Sequence, residues 1–137
     1  MATFTFFDEW KNYQGTVANV GTDTFKAMLT NSTPNVGTNT IKSDLTEISG
    51  TGGYAAKTLT TTWAETGAGT GIWRLSIGAD QTWTAVAATM DTFRYVVVYD
   101  DTVASPVKPL VGYWDYGSGL SLLAGDSLTR SEEHTSE

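Results

Sequence analysis

The chain of 137 residues has no cysteine, one histidine, three prolines, and only eight lysines and arginines against fifteen acids. Each shortage closes a class of function. Without cysteine there is no disulfide framework, no thiolate nucleophile and no Cys-ligated zinc, and the redox compartment stays open. The single histidine, His134, lies among the last eight residues, so the body of the chain cannot assemble a Ser-His-Asp or Cys-His relay. A formal charge of -7 with no Lys/Arg cluster argues against a nucleic-acid groove, because phosphate binding needs grouped cations that release counterions. No apolar run is long enough to span a bilayer. The stretch from Met1 to Trp10 has neither the basic start nor the apolar core of a signal peptide, so neither export nor membrane insertion is expected.

What is present is aromatic and β-branched. The chain carries five Trp, six Tyr and five Phe, and burying one such side chain removes about 150–250 Å² from water, worth roughly 4–6 kcal/mol before entropy is counted. These rings are the expected main source of cohesion. One domain is predicted from the length, burying roughly two thirds of the surface that the unfolded chain exposes.

Period-two patterning predicts strands over Asp23 to Thr30, Lys57 to Trp63, Ile72 to Ile77, Phe93 to Tyr99 and Leu110 to Tyr116, with a further short one near Trp83 in Gln81 to Val86. Phe93 to Tyr99 is apolar on both faces apart from Arg94, as a central strand covered on two sides would be. Pro106 and Pro109 place the approach to the next strand at an edge or irregular position, and Gly117-Ser118-Gly119 is read as a turn that ends it. Near the N-terminus, Phe6, Trp10, Tyr13 and Val17 fall at helical spacing. Thr5 is the expected cap, Asp8 and Glu9 the acidic first turn and Gly15 the stop, which gives a short amphipathic helix over about residues 5–15. Its ring stripe either lids the sheet core or offers a partner-binding face. Asn31 to Thr40 reads as a loop, and Ile41 to Ile48 as one helical turn or an irregular crossing segment. Seven or eight short strands with turn signals at this spacing predict an all-β fold, an antiparallel β-sandwich of jelly-roll type.

Three patterns bear on chemistry. Gly50 to Tyr54 is glycine-rich but lacks the Gly-Lys-Ser/Thr ending and the following helix of a phosphate cradle. Glu65, Asp100, Asp101 and Asp115 are the available carboxylates for acid/base work, yet each lies beside a turn, where solvation and capping explain it; Asp100-Asp101 lacks the spaced acids of a calcium loop. Trp63, Trp73 and Trp83 recur every ten residues and Trp114 follows in a later strand, which allows either core packing or a platform for stacking sugar rings. The candidate glycan or partner contacts are Trp10, Tyr54, Trp83 and Trp114. No catalytic, cofactor or metal residue is assigned.

The last eight residues, from Arg130 to Glu137, resemble the in-frame translation of a common short-read sequencing adapter. The native sequence is therefore expected to stop at about Thr129, leaving a charge of -5, with residues 130–137 a non-native tail unable to offset its ordering entropy. Within residues 1–129, four segments taken in order resemble a family of small tailed-bacteriophage virion proteins. They are Asp23 to Leu29; Asp44 to Ile48 with Gly53-Tyr54; Phe93 to Asp101; and Pro109 to Gly117. The resemblance implies a structural component of the particle, a head decoration, head fibre or tail-associated subunit, acting in the virion after synthesis in the host cytoplasm. Implied partners are other virion proteins and further copies of the chain; no nucleic acid or membrane is implied, and no enzyme activity. Family members run on past the equivalent of Gly125 to Thr129 into a closing strand that this sequence is expected to lack. The alternative function is a carbohydrate-binding or host-receptor module that uses exposed aromatics on a host surface glycan.

Overall fold

A computed structural model describes residues 4–77 and 81–130. The elements in chain order are β1 (Phe4–Phe6), α1 (Asp8–Thr16), β2 (Phe25–Thr30), β3 (Lys57–Thr58), β4 (Thr61–Glu65), β5 (Trp73–Ile77), β6 (Gln81–Thr84), β7 (Phe93–Asp100), β8 (Leu110–Leu120) and β9 (Ser127–Arg130), with single 3-10 turns at Lys42–Asp44 and Thr51–Gly53. The all-β expectation holds. A five-stranded antiparallel sheet has the order β1-β8-β7-β2-β3, and two separate ribbons pair β4 with β5 and β6 with β9. The described strands thus form one continuous sheet and two ribbons, rather than the two continuous sheets expected of a jelly roll.

Strand β7 is central, as its two-sided apolar pattern requires. Val96 and Val98 join Phe25, Ala27 and Leu29 of β2 on one face, while Val97 and Tyr99 join Met28 on the other. The first face is covered by Trp10 of α1 and by the ribbons, through Leu75, Trp83 and the partly buried Trp63 and Leu128. Phe7, Leu45 and the partly buried Val36 and Ala56, from the irregular connections, cover the second. Burying both faces of a single sheet is what consumes the aromatic content.

Two irregularities in β8 set which side chains face which layer. Val98 pairs with Gly112 but Tyr99 with Leu110, so Val111 is an extra residue and faces the same layer as Gly112 would. Tyr95 pairs with Asp115 and Phe93 with Leu120, so two steps along β7 meet five along β8, and Phe93 and Tyr95 face opposite layers despite their spacing. Gly117, at φ 85, lies in that second irregularity. The expected turn at Gly117 to Gly119 is therefore a bulge inside a strand that runs on to Leu120.

Three further expectations change. The helix begins at Asp8, not near Thr5, because Phe4–Phe6 instead pairs with β8, and Phe7 occupies the cap position with no side-chain cap bond. Phe6 is thus a strand residue, while Trp10 is buried, Tyr13 half-buried and Val17 exposed. The run from Lys57 to Trp63 is split: β3 pairs with β2, and past Leu59 the chain leaves the sheet to found the β4–β5 ribbon. Strand β8 is internal, between β7 and β1, with Pro109 held just ahead of it in a single bridge to Ile41. Arg130, expected to begin the non-native tail, ends β9, which pairs with β6. The rest of the expected tail, 131–137, lies outside the described residues. Among the described residues, no helix is long and apolar enough to cross a membrane.

Candidate functional site

Four aromatics were expected to meet a glycan or partner, and all four lie inside the protein: Trp10 and Trp83 are 1% exposed, Trp114 2% and Tyr54 8%. Their roles are structural. Trp10 packs edge-on against Phe25 at 6.0 Å between centroids, and Phe4 packs edge-on against Trp114 at 4.6 Å. The Trp83 Nε1–H donates to the Ala55 carbonyl at 3.1 Å, whereas the buried Trp10 Nε1 has no hydrogen-bond partner among the described residues. Tyr54 lies where β3 has already ended: its hydroxyl accepts from the Leu29 amide at 3.0 Å and donates to Glu47 Oε2 at 2.5 Å, finishing the open edge of β2. Lys42 completes that cluster, 2.8 Å from Glu47 Oε1 and above the Tyr99 ring. Burial, then the Glu47 bond, pushes the Tyr54 phenol far above its ordinary range, and burial pushes Tyr99 up to about 12, so both stay protonated.

The surface aromatics are elsewhere. Trp63 of β4 and the exposed Trp73 of β5 share one ribbon face, offset by two pairs because Trp63 is opposite Leu75 and Glu65 opposite Trp73. Their rings stack at 5.9 Å between centroids and 24° between planes. Trp73 is 43% exposed and its neighbour Ile72 44%. Beside them runs a groove of ≈ 560 Å³ lined by Gln14, Gly15, Ala18, Asn19, Val20, Gly21 and Trp63. The groove exists because the chain turns tightly after α1, with the Asp23 carboxylate accepting from the Asn19 amide at 2.9 Å, and because Gly21 lets the Trp63 ring come close. A Cβ on Gly21 would stand 3.2 Å from Trp63 Cδ1. The ten-residue spacing of Trp63, Trp73 and Trp83 was the sequence signal for this pair. It could not separate the buried Trp83 and the partly buried Trp63 from the exposed Trp73, because all three share the same alternation.

The carboxylates considered for acid/base chemistry are each taken up by local structure. Glu65 ties the ribbon tip by accepting from the Gly69 and Gly71 amides. Asp115 accepts two bonds from Arg94, at 2.8 and 3.1 Å, and one from Gly117; the guanidinium holds its carboxyl below the usual range. Asp101 faces Lys26 at 3.6 Å and Lys108 at 3.4 Å. Asp115 is opposite Tyr95, five residues along β7 from Asp100, or about 17 Å at ~3.4 Å per residue, so these acids do not converge. Asp100 is fully buried. One oxygen, Oδ1, accepts from the Thr102 amide at 3.0 Å, while Oδ2 is buried without a hydrogen-bond partner among the described residues. Burial, then the neighbouring Asp23 carboxyl, raises Asp100 to about 7. Among the described residues no three His, Cys, Asp or Glu side chains group as metal ligands. The glycine-rich segment is structural too: Gly52, at φ 75, is pressed against the Ala88–Met90 backbone, where a Cβ would meet the Met90 amide nitrogen at 3.0 Å.

No family model, no curated protein and no solved structure matches this chain.

Proposed function

We propose that the protein is a structural subunit of a tailed-phage particle, a head decoration, head fibre or tail-associated component, that works by association with other virion proteins and with its own copies. What carries this reading is where the resemblance to small virion proteins falls. Asp23 to Leu29, Phe93 to Asp101 and Pro109 to Gly117 lie in or beside β2, β7 and β8, three adjacent strands that form the middle of the sheet. The likeness is thus to a framework, as expected of a building block, and repeated copies on a particle convert weak single contacts into avidity. Particles purified from the phage that encodes the chain should contain it in many copies per virion by quantitative mass spectrometry; a chain found in the lysate but missing from washed particles overturns the proposal.

The exposed Trp73, stacked on the partly buried Trp63, favours a second reading, recognition of a host surface glycan by the same subunit. An aromatic face at the rim of a small groove is the kind of surface on which the apolar side of a sugar ring is held.

A further inference from the structure

We propose that the groove between the turn after α1 and the β4–β5 ribbon binds an uncharged pyranose of a glycan chain, with the Trp63 ring, braced by its stack on Trp73, as the aromatic wall. The inference rests on the glycan-recognition reading and gives that reading a place and a ligand class. Three observations carry it.

The lining is neutral. None of Gln14, Gly15, Ala18, Asn19, Val20, Gly21 and Trp63 is ionisable, in a chain whose net charge is -7. An anionic saccharide would meet the repulsion of the whole molecule with no lysine or arginine in the groove to offset it, and a cationic one would find no carboxylate there. An uncharged polyol is the ligand whose charge matches.

The lining is also two-sided in the way a pyranose is. A sugar ring has a C–H face and a rim of hydroxyls that both donate and accept. The groove offers an indole and the Ala18 and Val20 side chains for the first, and the side-chain amide of Asn19, with donor and acceptor atoms, for the second. A protein partner would favour a drier surface, and its docking would not need that amide.

Finally, the aromatic surface is already in place. Trp63 is held by its stack on Trp73 and by contact with Gly21, so little side-chain freedom is lost on binding. Its volume, ≈ 560 Å³, lies within the range of small-ligand clefts.

Calorimetry on the full chain with maltohexaose, cellohexaose and chitohexaose, beside an oligogalacturonate as the anionic control, tests the proposal. At least one neutral chain should bind at about 5 mM or below, with quenching of tryptophan emission, and the oligogalacturonate should not. Trp73→Ala and Asn19→Ala should each weaken that binding about tenfold or more while melting within a few degrees of the parent; Trp73 is exposed enough for its loss to spare the fold. Binding of a neutral chain that both variants leave unchanged overturns the groove but keeps glycan recognition, placed elsewhere. No binding to any neutral hexasaccharide overturns the groove and the glycan reading together. Loss of particle attachment in Trp73→Ala, without sugar binding by the parent, assigns the pair to a protein contact and likewise overturns it.

Discussion

Asp100 and Gly112 show how much one position decides in this chain. The folded chain keeps the Asp100 proton up to about pH 7, whereas an unfolded aspartate releases it near 3.8. Between those values the folded state binds more protons than the unfolded one, so stability is full below the lower value and falls as pH rises through the higher. Thermal melts from pH 4.5 to 8 should show a falling Tm that Asp100→Asn flattens, because the amide has no proton to lose over that range; an identical slope in the variant refutes Asp100 as its source. At Gly112, an added Cβ would stand 2.4 Å from the Phe4 ring and 2.6 Å from the Thr5 carbonyl. Gly112→Ala should therefore cost about 1–3 kcal/mol and loosen β1, read as faster hydrogen exchange at the Phe7 amide, which bonds to the Val111 carbonyl.

At the scale of elements, the strands that pair inside the sheet were the legible ones. The two-sided apolar run from Phe93 to Tyr99 marked β7 as central, and it is central. Val97→Asp places an unpaired carboxylate at a fully buried position and should abolish soluble folding; a cooperatively melting variant contradicts the packing of that strand. What period-two patterning could not reveal were events that break the period. The extra residue Val111 and the wide bulge before Leu120 both shift faces without changing composition, and the split past Leu59 interrupts a run whose alternation continues unbroken. The helix start was missed because Phe6 satisfies a helical stripe and an edge strand equally well, and pairing with β8 decides. Strand β9 is the only partner of β6 among the described residues, and Trp83 is buried on that ribbon. Truncation after residue 126 should thus lower Tm by ten degrees or more, roughly the loss of a buried aromatic's environment; an unchanged melt shows that β6 holds without β9.

For the molecule as a whole, the sixteen rings divide between holding the sheet and meeting solvent, and sequence spacing alone does not make that division. Trp10, Tyr54, Trp83 and Trp114 are enclosed because the elements carrying them lie over the sheet, while Trp73 is exposed because its ribbon projects past it. Which aromatics face solvent needed the tertiary arrangement, because period-two alternation is the same for a buried ring and an exposed one. The ribbon's far end closes on itself: Glu65 collects the amides of Gly69 and Gly71, the Thr66 amide bonds to the Ile72 carbonyl at 2.7 Å, and Gly67, Gly69 and Gly71 all take positive φ. No core residue lies within that hexapeptide bend. A foreign peptide spliced between Gly67 and Gly69 should therefore leave the packed layers untouched, read as a Tm within a few degrees of the parent.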